Sequence, residues 1–237
     1  MYKKFFSFIL PVLIVCNAYS QQLASDFLTS GNKKQEEQKY KEAVEDFTQA
    51  IKLDPDNAMS YFYRANARFE LEDYKGAIDD YSNCINRNKD FIHAYFNRGN
   101  TYYEIDEFQK AINDFTSALK MDSLYFDCYF DRANAHFKLE KYDDAIRDFN
   151  QGLKLNPDNA DGFYDRANAY FYKEDFKKAL EDYNKAIELN NNNSSYYFNR
   201  AITKINLDMI EEGCSDLKKA ESMGDADAKE YIKEICP

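Results

Sequence analysis

Displaced by 34 residues, the sequence falls back onto itself from residue 24 almost to its end. Ala43, Ala77, Ala111, Ala145, Ala179 and Gly213 stand at that interval. Three residues before each comes Tyr40, Tyr74, Phe108, Tyr142, Phe176 or Ile210, and four after comes Phe47, Tyr81, Phe115, Phe149, Tyr183 or Leu217. The same offset joins Gly31, Ala65, Gly99, Ala133, Ala167 and Ala201, and then Ala50, Cys84, Ala118, Gly152, Ala186 and Ala220. A unit this short cannot bury an apolar face alone, so each copy must stack on the next. Six units result: 24–57, 58–91, 92–125, 126–159, 160–193 and 194–227.

Within a unit, small and aromatic residues recur every three or four positions over two stretches of about twelve residues, with a polar break such as Glu72-Asp73 between them. Each unit therefore reads as a helical hairpin of helix A and helix B. The links carry helix breakers, as in Asp54-Pro55-Asp56-Asn57 and Asn156-Pro157-Asp158-Asn159. Small residues at positions 8, 20 and 27 let the helix backbones approach, and the aromatic residue at position 24 fills the space beside them. With 20 Tyr, 19 Phe, 7 Gly and 4 Pro, the chain has ample core material and too few turn residues for a sandwich or propeller. Its formal charge of -11 gives no footing for binding nucleic-acid phosphates or anionic lipid.

The stretches Tyr61-Phe62-Tyr63-Arg64-Ala65-Asn66-Ala67 and Tyr129-Phe130-Asp131-Arg132-Ala133-Asn134-Ala135, together with the period, resemble the tetratricopeptide repeat (TPR) family. The resemblance covers residues 24–227. It implies an all-α, right-handed superhelical solenoid of six TPR hairpins and a C-terminal capping helix, with helix A lining the concave face. Repeat 6 departs from the pattern, with Ile210, Gly213 and Leu217 where the other copies have an aromatic residue, Ala, and Phe or Tyr. Asp225 to Ile235 reads as the cap, its C-terminal part 228–237 lying beyond the last unit. Cys214 precedes the Met223-Gly224 turn by about ten residues and Cys236 follows it by about twelve, so antiparallel helices bring the two almost level and a disulfide could staple the cap. Cys84 and Cys128 fall at small repeat positions and are expected to be core thiols.

Two lysines, an apolar run from Phe5 to Val15 and the tripeptide Ala18-Tyr19-Ser20 make residues 1–20 a secretory signal peptide cut after Ser20. Loss of Lys3 and Lys4 takes the formal charge from -11 to -13. Lipidation at Cys16 is the alternative, disfavoured by Val15 in front of it. The expected location is periplasmic or secreted, with envelope association left open.

Position 7 is Arg64, Arg98, Arg132, Arg166 and Arg200, replaced by Ser30 in the first unit. Position 23 is Asp46, Asp80, Asp114, Asp148, Asp182 and Asp216. An unpaired buried guanidinium is costly, so structural ion pairs within a unit or with the next are expected. Exposed arginines reading an anionic ligand are the alternative.

The TPR resemblance assigns a partner-binding groove to Phe62, Phe96, Phe130, Tyr164 and Phe198 at position 5 and to Asn66, Asn100, Asn134 and Asn168 at position 9. Asn can donate to and accept from a peptide unit whatever its sequence, and aromatic rings take up side chains. The implied function is a scaffold or adaptor holding an extended protein segment. A glycan- or small-ligand-binding solenoid and a structural subunit of an envelope assembly are the alternatives. The clamp for acidic chaperone C-termini needs Lys at position 5, where this chain has Leu28 or an aromatic residue. His93 and His136 show no metal-ligand spacing, and no nucleophile, phosphate-loop or zinc motif is present, so no enzymatic activity, cofactor, metal site or mature membrane span is expected.

Overall fold

The computed structural model describes the backbone of residues 6–236 and the side chains of residues 19–236. Lys3 and Lys4 of the expected leader, and the side chain of Cys16, lie outside the described residues. Among the described residues the protein is all-α, with thirteen helices in sequential antiparallel pairs. They fall into two compact units.

Unit 1 (Met1–Met121) holds three hairpins: α1 (Phe6–Glu36) with α2 (Tyr40–Leu53), α3 (Ala58–Glu70) with α4 (Tyr74–Arg87), and α5 (Ile92–Glu104) with α6 (Phe108–Met121). Unit 2 (Asp122–Pro237) holds α7 (Phe126–Lys138) with α8 (Tyr142–Leu155), α9 (Ala160–Tyr172) with α10 (Phe176–Leu189), and α11 (Ser194–Asn206) with α12 (Ile210–Ser222). A last helix, α13 (Ala226–Ile235), packs on α12.

The A-to-B turn has one design throughout. Position 15 is left-handed although it is never glycine: Gln38, Glu72, Asp106, Glu140, Glu174 and Asp208 all have φ of 58–61°. In α3 the Asp73 N–H returns to Arg68 O at 2.9 Å and the Glu72 N–H to Phe69 O at 2.8 Å, which satisfies carbonyls that a helix end leaves open. Helix starts are capped from the side chain where the sequence supplies Asn or Asp. Asn57 Oδ1 accepts from the Met59 N–H, and Asp73 Oδ1 from the Gly76 N–H.

Each seam is closed by the position-24 residue, and Phe47, Tyr81, Phe115, Phe149, Tyr183 and Leu217 are all buried. The fit is close at position 8. A Cβ on Gly31 would come within 2.5 Å of the Phe47 ring, and one on Gly99 within 2.7 Å of Phe115. Such rings have no slack, so a methyl group here must displace the seam.

The two chain ends differ from the middle copies. α1 runs unbroken from Phe6 through the expected cut after Ser20 into the first hairpin, because no breaker separates the apolar run from the repeat. Ser20 Oγ donates to Leu53 O at 3.1 Å. No helix among the described residues is long and apolar enough to cross a membrane. At the other end Ala228, Ile232 and Cys236 pack against Ala201, Leu217 and Ala220, and a disulfide joins Cys214 to Cys236. Cys84 and Cys128 are buried thiols.

Candidate functional site

The repeated arginines face inward and are fully engaged. Nε and Nη2 of Arg64, Arg98, Arg132, Arg166 and Arg200 form two-pronged bonds of 2.6–2.8 Å to Asp80, Asp114, Asp148, Asp182 and Asp216 of the same hairpin. The planar guanidinium matches the carboxylate, which makes these stronger than neutral hydrogen bonds. The third prong was not legible in the sequence. Nη1 reaches back to position 25 of the preceding hairpin: Arg64 to Thr48, Arg98 to Ser82, Arg166 to Asn150 and Arg200 to Asn184. One arginine thus ties three helices.

A second base approaches the carboxylate from position 11. Arg68 Nη1 donates to Asp80 at 2.8 Å and Lys204 Nζ to Asp216 at 2.6 Å. His136 Nε2 is 3.8 Å from Asp148, and burial lowers its affinity for a proton. In the first hairpin, where position 7 is Ser30, Lys34 alone pairs with Asp46 at 2.8 Å.

The position-9 asparagines are drawn into the wall rather than standing apart from it. Asn66 Oδ1 accepts from the Tyr81 hydroxyl at 2.6 Å and from Asn97 Nδ2 at 3.0 Å. Asn168 Oδ1 accepts from Tyr183 at 2.6 Å and Asn199 at 3.2 Å. Asn134 is hydrogen-bonded to Asp165. In these three pairs the partner in the next hairpin is position 6, a position without a marked preference. Burial raises the Tyr81 and Tyr183 hydroxyls far above their ordinary range, so both remain donors at neutral pH.

Two carboxylates at position 6 are perturbed. Burial, with the nearby Asp127 charge, pushes Asp131 up to about 7, and burial with Asp161 pushes Asp165 up to about 6.

Of the expected groove aromatics, Phe130 is a core residue, 8% exposed, and that expectation is corrected here. Its ring fills the space left by Gly152 and Gly162, where an added Cβ would approach it to 2.8 and 2.5 Å. Phe62 packs on Phe91 at 4.8 Å and Phe96 on Phe115 at 5.9 Å, both partly buried in seams. Tyr164 and Phe198 do line a cavity.

Each unit has such a cavity on helix A. In unit 1 it is about 330 Å³ and is bordered by Gln35, Asn66, Phe69, Glu70, Tyr81, Asn97 and Asn100. In unit 2 it is about 440 Å³, bordered by Asn168 and Asn199 and by the rings of Phe137, Tyr164, Phe171, Tyr172, Tyr183, Phe198 and Tyr231. Gln35, Tyr172 and Tyr231 carried no site expectation from the sequence. The first and third were hidden because their wall role depends on the hairpin they face. Among the described residues, no group of three or more His, Cys, Asp or Glu is arranged to hold a metal.

Helical hairpins closed internally by a repeated Arg–Asp pair and tied to the preceding hairpin by the same arginine, with helix A bordering the cavities, define a repeat scaffold. Sequence profiles described as "Tetratricopeptide repeat" match residues 96–160 and 130–194, and profiles described as "TPR repeat" match 31–72 and 65–106. The chain belongs to the tetratricopeptide repeat proteins. It is similar in fold to MamA (TM-score 0.69, 20% identity, 74% of this chain and 96% of that one). YrrB, whose structure is described as that of a TPR protein with an unusual peptide-binding site, matches with a TM-score of 0.70 at 20% identity over 79% of this chain and 97% of that one. PilF of Pseudomonas aeruginosa matches with a TM-score of 0.73 at 15% identity over 91% and 99%. No curated protein sequence matches.

Proposed function

We propose that this chain is an exported TPR scaffold that holds extended segments of a partner protein against the helix-A wall of its hairpins. The observation that carries the reading is the pair of open cavities on that wall, where amides and aromatic rings stand together while the arginines are engaged within and between hairpins. Amide groups pair with peptide units, and ring faces take side chains. The peptide-binding site named for YrrB belongs to a protein of the same fold and is consistent with this use.

Export is supported by the leader-like residues 1–20 and by the Cys214–Cys236 disulfide, which persists in an oxidising compartment. The mature chain then begins at Gln21, and intact-mass measurement of protein from its native host checks that end.

Photocrosslinking in the native host, with a photoreactive residue at Asn100 in one experiment and at Phe198 in another, tests the scaffold reading. Capture of the same protein partner from both positions is the expected result. Capture of a glycan alone, or of nothing, from either position overturns it.

A further inference from the structure

The last residue of helix A, position 13, is Glu36, Glu70, Glu104, Lys138 or Asn206 in five hairpins, and in four of these Leu71, Ile105, Leu139 or Leu207 follows. The fifth hairpin reverses the order, with Tyr172 followed by Lys173. Hairpin packing does not require a ring there, since five copies close without one. Tyr172 is 61% exposed, yet it is organised: it stacks on Tyr142 at 5.7 Å and meets Phe137 and Phe171 edge-on. Lys173, for its part, is in an ion pair with Asp143. The reversal puts an aromatic face on the rim of the unit 2 cavity and ties the neighbouring cation to a carboxylate. Tyr231 of the capping helix adds a second partly exposed ring, edge-on to Phe198 at 5.3 Å.

No residue bordering this cavity carries a charge. Arg132, Arg166 and Arg200 are each held by two bonds to an aspartate, so none of them is presented to an anionic guest. Asp165 and Asp225 lie close enough to act on Tyr164 through their charge. Aromatic faces carry negative charge density and attract cations, and a chain of net charge -11 adds to that field. A sugar would need polar groups to meet its hydroxyls. Here Asn199 uses its amide nitrogen on Tyr164 Oη and Asn168 Oδ1, and Asn168 Oδ1 accepts twice.

Resting on the scaffold reading above, we propose that this cavity receives the side chain of a lysine or arginine carried by the partner segment, seated against Tyr172 and Tyr231.

The test uses the full chain and short fluorescent Gly-Ser peptides that carry a single Arg, Lys, citrulline, norleucine or Glu, read by anisotropy, with cello-oligosaccharides as competitors. Arg and Lys peptides are expected to bind about tenfold more tightly than citrulline and norleucine. Tyr172→Phe is expected to keep that preference, and Tyr172→Leu to abolish it with an unchanged thermal midpoint. Citrulline binding as well as arginine, competition by the oligosaccharide, or indifference to Tyr172→Leu overturns the proposal while leaving the scaffold reading standing. Failure of every peptide to bind overturns both.

Discussion

The two units are built on the same lattice and differ in what they place on the helix-A wall. Arg98 in unit 1 and Arg166 in unit 2 make the same three-way tie, to Asp114 and Ser82 in one case and to Asp182 and Asn150 in the other. The cavities are unlike: one is bordered mainly by amides with Glu70, the other mainly by rings. The lattice lies in the seams, where its geometry constrains every copy, whereas wall positions between the seams can vary without disturbing the fold. Constraint and variation are thus separated within a single helix, by which face of it a residue occupies.

The largest expected effect tests whether the lattice is in fact common to both units. Arg98→Met and Arg166→Met should each lower stability by about 3–5 kcal/mol, because each leaves an aspartate buried without its counter-charge. Denaturant unfolding checks this, and unequal losses would break the equivalence. Adding Asp114→Leu to Arg98→Met removes the orphaned charge and should recover much of the loss.

Next in size is the C-terminal staple. Reduction of Cys214–Cys236, which closes a loop of 22 residues, should cost about 3 kcal/mol. Hydrogen exchange should show the loss in α11 to α13 and not in unit 1. Equal loosening of unit 1 would show that the units do not respond separately.

Acidity sharpens the contrast further. Asp131 and Asp165 bind a proton more tightly in the fold than in an unfolded chain, so the native state holds more protons between about pH 4 and pH 7. Their contribution to stability is therefore greatest at the acidic end of that window and is lost as pH rises through it. Asp131→Asn should raise stability at pH 8 by on the order of 2 kcal/mol and flatten the pH dependence of unfolding. The equivalent residue in the third hairpin is Asn97, so exchange from α5 and α6 should show no matching slope.

The smallest effect concerns the amide wall. Tyr81→Phe and Tyr183→Phe each remove a donor to an asparagine and should cost about 1 kcal/mol, measurable by thermal unfolding.

The sequence made the hairpin architecture plain, because small and aromatic residues at fixed intervals leave only one way to close a seam. It was less informative on the wall. Phe130 looks like its counterparts at position 5, but the glycines that receive its ring, Gly152 and Gly162, sit on other helices. Thr48, Ser82, Asn150 and Asn184 look like surface residues until the arginine of the following hairpin is seen to reach them. Asp131 and Asp165 resemble any of the 42 acidic residues, since nothing local marks a carboxylate that stacking will bury. Lys34 replaces the missing position-7 arginine from one helical turn further on. Such relations depend on neighbours across a seam, which a linear pattern does not reveal.

The arginine's reach toward the hairpin before it has a consequence for how such an array can change length. A segment of 34 residues copied in frame brings its own guanidinium, its own aspartate and the acceptor that the following copy requires, so internal duplication or deletion leaves each joint chemically complete. The C-terminus lacks this freedom. There a cysteine cross-link and a short helix stand in place of the repeating joint, so a copy inserted at that point would have to displace the clasp.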